Sequence, residues 1–368
     1  MRYRREDGCR AWLIYGQLQP EALVNVLDEF GSAEAIYDRF LKDGGACLKP
    51  YVQEQLFEML TAQSKPDAMH RMMVTMAKLG AGVVAISDYR YPDALRDLPD
   101  PPGLLFYQGD LDCLMGKCIT MVGSRSASPA SLAATEQIAS ELSRSGVTVV
   151  SGLAPGIDTA SHEGCLAGGS PTCAVLACGL DVEYPSGSLQ LRKRILDRGG
   201  VILTEYPLGC PALNWHFPVR NRILSGLSKA VVLMEARIRS GSMTTVQHAL
   251  TQGREVYAYP GQVGTEWAEG AHQLLREGAN YFTSAADILE DLGWNDGRPP
   301  AAPQTKQQLP ELTLDQRRVY QQLALGEQSY EQLAEATGLD PAALSGALTL
   351  LQIMGLIRPM PGKAYCKV

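Results

Sequence analysis

No CxxC pair occurs among the nine cysteines of this 368-residue chain. An odd, scattered set without zinc-ligand spacing predicts free thiols in a reducing cytoplasm, with no disulfide and no zinc site. The five histidines show no HExxH spacing, which removes the common zinc-hydrolase pattern. No GxGxxG is followed by an acidic residue, so a nicotinamide cofactor is not expected, and no GxxxxGKS loop is present for ATP hydrolysis. A GxSxG elbow for a serine nucleophile is also missing. The chain thus offers no catalytic constellation, no metal site and no cofactor motif. No apolar run approaches the roughly 18 residues of a membrane helix, and the N-terminus, MRYRREDGCRAWLIYG, has charge but no signal-peptide core. A cytoplasmic protein without membrane contact is expected. Positive charge is scarce too: the formal net charge is -7. Any binding to nucleic acid would rest on a local basic patch and weaken steeply with salt.

What is present is organised in blocks. Residues 1–80 carry apolar residues at mixed three and four spacings, broken at Gly31 and Gly44-Gly45, which predicts a small helical module. Residues 81–113 switch to short extended pieces and prolines, read as a connector packing on the core. Over 114–296 the rhythm is apolar strand, glycine loop, helix. CITMVG (118–123), VTVVSG (147–152), TCAVLACG (172–179), GVILTEYP (200–207), AVVLMEA (230–236) and EVYAYPG (255–261) are the strands. Near-continuous apolar strands imply helices on both faces, hence an α/β fold with a doubly wound, extended Rossmann-like parallel sheet. Ser128-Pro129 suits the start of the first crossover helix. Residues 297–311 are rich in proline and glutamine and read as a linker. Residues 312–368 show three helices and a terminal hairpin, the order of a winged helix. Its would-be recognition helix, Asp340 to Ile357, has no Lys or Arg. Contact with protein is therefore a more natural role for it than contact with duplex DNA.

Ligands of open parallel sheets bind at the carboxyl ends of the strands. Those ends carry Gly123-Ser124-Arg125, Gly152 within SGLAPGID, Gly179-Leu180-Asp181, and Arg237, Arg239, Ser240, Gly241 and Ser242. Glycines admit a phosphate close to the backbone and helix N-termini offer free amides. The segment from Glu205 to Ser242 adds Trp215, Phe217, Arg220, Asn221 and Arg222. Arginine forks match phosphate oxygens and aromatic faces stack bases, so a nucleic acid or nucleotide phosphate is the expected ligand. Arg220 and Arg222, two apart, would diverge on a helix, one reaching phosphate and the other an acidic side chain. Asp158 reads as a helix cap, His162 as a packed core residue, and the basic run at 192–194 as a solvated helix face.

VGSR (122–125), SGLAPGID (151–158) with SH at 161–162, AVLACGLDVEYP (174–185), TEYPLG (204–209), FPVRNRILSGLS (217–228), MEARIRSGS (234–242) and GREVYAYPG (253–261) closely resemble the DNA-processing protein A (DprA/Smf) family. The likeness covers the whole sheet domain in order. The flanking blocks resemble the SAM/HhH-like N-terminal and winged-helix C-terminal modules of many members. Departures are Ser161 before the motif histidine, Ser188 near a position where asparagine is common, and Pro155 in place of a polar or basic residue. The resemblance implies a non-catalytic protein that binds and protects incoming single-stranded DNA, loads RecA on it during natural transformation, and dimerises through the sheet domain. It places the strand contacts on Arg125, on Phe217, Arg220, Asn221 and Arg222, and on Ser240 to Ser242. Two alternatives stay open at this point: a nucleotide-processing enzyme on the same sheet, and a protein-interaction adaptor.

Overall fold

The structure is a computed structural model, and it describes residues 5–294, 313–323, 328–354, 356–360 and 364–367. The expected linker, 297–311, lies outside the described residues. The chain divides into two compact units, 1–300 and 301–368.

The first unit opens with five helices, α1 (Arg5–Leu13), α2 (Pro20–Phe30), α3 (Ala33–Asp43), α4 (Glu54–Gln63) and α5 (Pro66–Leu79). Proline begins α2 and α5, Ser32 caps α3, and left-handed glycines at 31, 44 and 80 end α2, α3 and α5, as the sequence breaks require. Trp12 anchors the module. Its ring is buried edge-on to Tyr37 and Phe40 at 5.1 and 5.0 Å, and its Nε1 donates to the Leu60 carbonyl at 2.8 Å. The same core continues into the sheet through Ala174 and Ile202. The helical module therefore does not fold around a separate centre.

The sheet has nine strands: β1 (Ala81–Ala85), β2 (Leu104–Gly109), β3 (Cys118–Val122), β4 (Thr148–Ser151), β5 (Thr172–Val175), β6 (Val201–Thr204), β7 (Ala230–Leu233), β8 (Glu255–Ala258) and β9 (Asn280–Tyr281). Their order is β1-β2-β6-β5-β4-β3-β7-β8-β9. The run from β6 to β9 is parallel, while β1 and β2 are antiparallel additions to the β6 edge. Residues 81–113, expected as a connector, thus supply two strands. A two-residue period divides each central strand between two cores. Ile119, Val149 and Val232 go to one face, and Val122, Val150 and Val231 to the other. Burial on both faces is why these strands read as unbroken apolar runs.

Helices α6 (Asp93–Arg96), α7 (Pro129–Arg144), α8 (Ile157–Gly168), α9 (Leu189–Asp197), α10 (His216–Gly226), α11 (Ser242–Thr251), α12 (Glu269–Arg276) and α13 (Ala285–Asp291) complete the unit. Ser128 caps α7 by accepting from the Ser131 amide, with Pro129 at its first turn. The chain winds from β3 out to β6, then returns to β7 on the other side of β3. The order reversal between β3 and β7 is the switch point at which doubly wound sheets bind ligands.

The second unit contains α14 (Leu314–Gln322), α15 (Tyr330–Thr337), α16 (Pro341–Ile353) and the strands β10 (Gln328–Ser329), β11 (Ile357–Met360) and β12 (Ala364–Lys367), which pair in the order β10-β12-β11. This is a winged helix. Among the described residues no helix is long and apolar enough to cross a membrane.

Candidate nucleic-acid interface

Strands β3, β4 and β7 end before the apolar runs do, and the residues beyond them build a cleft of about 560 Å³ over the switch point. Backbone bonds join the three loops. The Ser124 amide donates to the Glu235 carbonyl at 2.7 Å and the Ile157 amide to the Ser124 carbonyl at 3.1 Å. The buried Glu235 carboxylate accepts from the Ser128 amide and hydroxyl at 3.2 and 2.7 Å, tying the β3–α7 loop to the end of β7.

The β4–α8 loop is held from below by Asp158. The sequence reading made it a helix cap, but α8 is capped at Gly156 and Asp158 sits inside the first turn. Its carboxylate accepts from the Gly152 and Ala154 amides at 3.1 and 3.2 Å. Those two bonds fix the intervening Leu153 in the left-handed region at φ 59°, a conformation uncommon for a bulky residue and costing about 1–3 kcal/mol. Gly152 is small for a visible reason: a Cβ there would lie 2.6 Å from Arg220 Nη2 and 2.7 Å from Asp158 Oδ2.

Arg220 comes from the first turns of α10 and is 4% exposed. It donates to the Gly152 carbonyl at 3.1 Å, to the Val175 carbonyl, and through Nε to Asn221 Oδ1 at 3.2 Å. Burial pushes the Asp158 carboxyl above its ordinary range and the Arg220 guanidinium below its own; each charge opposes the other's shift. Asn221 reaches the opposite way, donating to the Gly241 carbonyl at 3.2 Å and Thr244 Oγ1 at 2.6 Å. It thereby positions the Ser240-Gly241-Ser242 turn, whose two hydroxyls lie 2.6 Å apart at the start of α11.

At the mouth, the exposed Arg125 guanidinium lies 4.8 Å from the Phe217 ring centre. Tyr184 packs on Phe217 at 5.3 Å and its hydroxyl accepts a long bond from Arg125 at 3.4 Å. Three arginines (125, 220 and 237) and one carboxylate (Asp158) line the cleft. An acidic chain therefore carries a net positive recess here.

Of the expected contacts, Gly123, Ser124, Arg125, Phe217, Arg220, Asn221, Ser240, Gly241 and Ser242 line this one cleft, and Gly152 lies against Arg220. Arg222 is not brought to it. Two residues advance a helix by roughly 200°, and Arg222 instead pairs with Glu205 at 2.7 Å and Asp100 at 3.1 Å. Its replacement by alanine is expected to destabilise the fold by about 1–3 kcal/mol, because Glu205 loses its partner, and to leave strand affinity unchanged. Denaturant unfolding alongside a binding titration checks both halves.

Other expectations are corrected. Arg192 is not a solvated surface residue: it is 6% exposed and donates to the Leu180 and Val182 carbonyls at 3.1 and 2.8 Å, steadying the segment that carries Tyr184. Asp181 accepts from the Gly209 amide at 2.8 Å, and neither it nor Arg239 lines the cleft. Sequence reading missed Tyr184, Asn214, Thr245 and Trp267 as lining or mouth residues. Tyr184 and Trp267 had a signal, since they follow β5 and β8 and so belong to further strand carboxyl ends.

His162 is packed, as expected. The Thr172 hydroxyl donates to the Val149 carbonyl at 2.6 Å, so His162 Nδ1 must donate to Thr172 Oγ1 at 2.8 Å. Nε2 is buried without a hydrogen-bond partner, and burial pushes this histidine down to about 3. A pKa depressed on folding makes its stability contribution full above about 6.5 and lost as pH falls towards the folded value. Between pH 7 and 5 it is expected to cost about 2 kcal/mol. The difference in unfolding free energy between the wild type and His162→Asn, which retains a donor near Nδ1, should shrink by that amount over the interval.

Residues 82–293 match the family described as DNA recombination-mediator protein A, and residues 300–363 match the DprA winged helix domain. DNA processing protein DprA of Streptococcus pneumoniae is 41% identical over 207 residues, 56% of this chain and 73% of that protein. The X-ray structure of DNA processing protein A from the same organism superposes with a TM-score of 0.63 and 32% identity, covering 79% of this chain and 99% of that one. A structure of DNA processing protein A from Helicobacter pylori, described by its single-stranded DNA binding mode, gives a TM-score of 0.52 and 28% identity over 58% of this chain and 95% of that one. The chain belongs to the DNA recombination-mediator protein A (DprA/Smf) family.

Proposed function

We propose that the protein binds single-stranded DNA in the switch-point cleft, protects it, and hands it to RecA during natural transformation or homologous recombination. It does so without catalysing a reaction, in the cytoplasm, as a homodimer formed through the sheet domain. The observation that carries this reading is the convergence of a buried arginine, an exposed arginine stacked on an aromatic ring, and a serine-glycine-serine turn at a helix start, all in one recess. Such a set grips phosphates and offers a ring to a base while demanding no base identity.

The competing reading, turnover of a nucleotide, needs a free acid or base. The two buried carboxylates nearest the cleft are otherwise engaged, Asp158 by two loop amides and Glu235 by Ser128. Two assays separate the readings. The protein should raise the rate at which RecA assembles on a single strand, and it should release neither base nor phosphate from mononucleotides. Turnover that disappears in Asp158→Asn would overturn the non-catalytic reading. No effect on RecA assembly would remove the hand-over step.

A further inference from the structure

The β8 side of the cleft carries a second pairing of arginine with an aromatic ring, Arg237, expected at the ligand edge, with Trp267, which was not. Arg237 follows β7 and its guanidinium lies 3.9 Å from the centre of the Trp267 ring. Both side chains line the cleft. Trp267 is set in place by its segment: the Gly270 amide donates to the Ala236 carbonyl at 2.9 Å, and a Cβ at Gly270 would come within 2.7 Å of the same oxygen. The turn after β8 is thus seated directly on the end of β7. Arg237 also touches Glu266 at 3.3 Å, with the two side chains 51% and 70% exposed, a contact too open to hold the guanidinium firmly.

In sheet order, Tyr184 with Arg125 and Phe217 stands towards β5, and Arg237 with Trp267 stands towards β8. Arg220 lies at the floor between them. A guanidinium stacked on a ring keeps its edge N–H groups free for a phosphate. We propose that Arg237, held over the Trp267 ring, is a second phosphate contact, so that a bound strand runs along the sheet edge from the β5 side to the β8 side. Trp267 is a positioning residue, and Glu266 occupies the Arg237 edge until a phosphate displaces it. This inference rests on the strand-binding reading of the cleft.

The test is binding of a labelled oligothymidylate of about 30 nucleotides, long enough to fill several single-strand sites, to the full chain and its variants. Arg237→Ala should weaken binding about tenfold and reduce the salt slope by about one. Trp267→Ala should match that loss and Trp267→Phe should restore most of it. The double variant should be no weaker than either single one, because the ring acts through the guanidinium. Glu266→Ala should tighten binding severalfold, a gain that misfolding does not mimic. If Arg237→Ala, Trp267→Ala and Glu266→Ala all bind like the wild type while Arg125→Ala is weakened, the second contact is wrong and the cleft stands. Additive losses in the double variant would also overturn the positioning role. If Arg125→Ala too is unchanged, the cleft reading itself fails.

Discussion

Arg220→Ala should lose both strand binding and a large part of the protein's thermal stability. The guanidinium is 4% exposed and is the principal opposing charge to Asp158, which is itself 7% exposed. Removing one member of a buried charged set leaves the other uncompensated, at a cost of about 3–5 kcal/mol. For a unit of this size that lowers the unfolding midpoint by on the order of 10 °C. The carbonyls of Gly152 and Val175 lose their donor as well. Adding Asp158→Asn should recover much of the midpoint, since a neutral amide oxygen still accepts from the Gly152 and Ala154 amides. It should not recover binding, because the phosphate donor is gone. Calorimetry on the single and double variants, with a binding titration on each, separates the two effects. A single variant that unfolds at the wild-type midpoint would show that Arg220 is not the counter-charge of Asp158.

Arg125→Ala and Phe217→Ala should behave differently, weakening binding with little change in stability. Arg125 is exposed, and its partners are the Phe217 ring at 4.8 Å and the Tyr184 hydroxyl at 3.4 Å. Its loss removes one phosphate contact, so the logarithmic salt slope should fall by about one and affinity by about tenfold. Phe217 is half-buried at the start of α10. Removing a stacking face costs about 1–3 kcal/mol per base, or roughly five- to 150-fold in affinity. Phe217→Tyr keeps the face and should bind nearly as the wild type does. Equal loss in the Ala and Tyr variants would mean that Phe217 packs the cleft wall instead of meeting a base.

Legibility in the sequence followed periodicity and chain-end chemistry. Six of the seven parallel strands were readable because they are long apolar runs buried in the sheet, whereas the two-residue β9 was not, and the α7 cap was readable because Ser-Pro at a helix start has few other meanings. The site was readable because a strand-to-helix crossover must place its loop at the carboxyl edge, so residues far apart in sequence converge there. Long-range partners were not readable. Nothing local says that Asp158 turns back to the Gly152 and Ala154 amides, that Arg192 reaches the Leu180 carbonyl, or that Arg222 meets Asp100, 122 positions away. Residues 81–113 looked like a connector because prolines interrupt them. β2 is a strand because it pairs with β1 on one side and β6 on the other, and the β6 partner lies about a hundred residues on. The Arg237–Trp267 stack likewise depends on how the turn after β8 seats on β7.

The most direct measurement is fluorescence anisotropy of a labelled oligonucleotide of about 30–60 nucleotides, long enough to span several single-strand sites, single- and double-stranded, over a salt series. The cleft described here should give tight binding of the single strand, weaker binding of the duplex, and a steep loss of affinity with salt that Arg125→Ala makes shallower. Equal affinity for the two forms, or none for either, would contradict single-strand binding at the switch point.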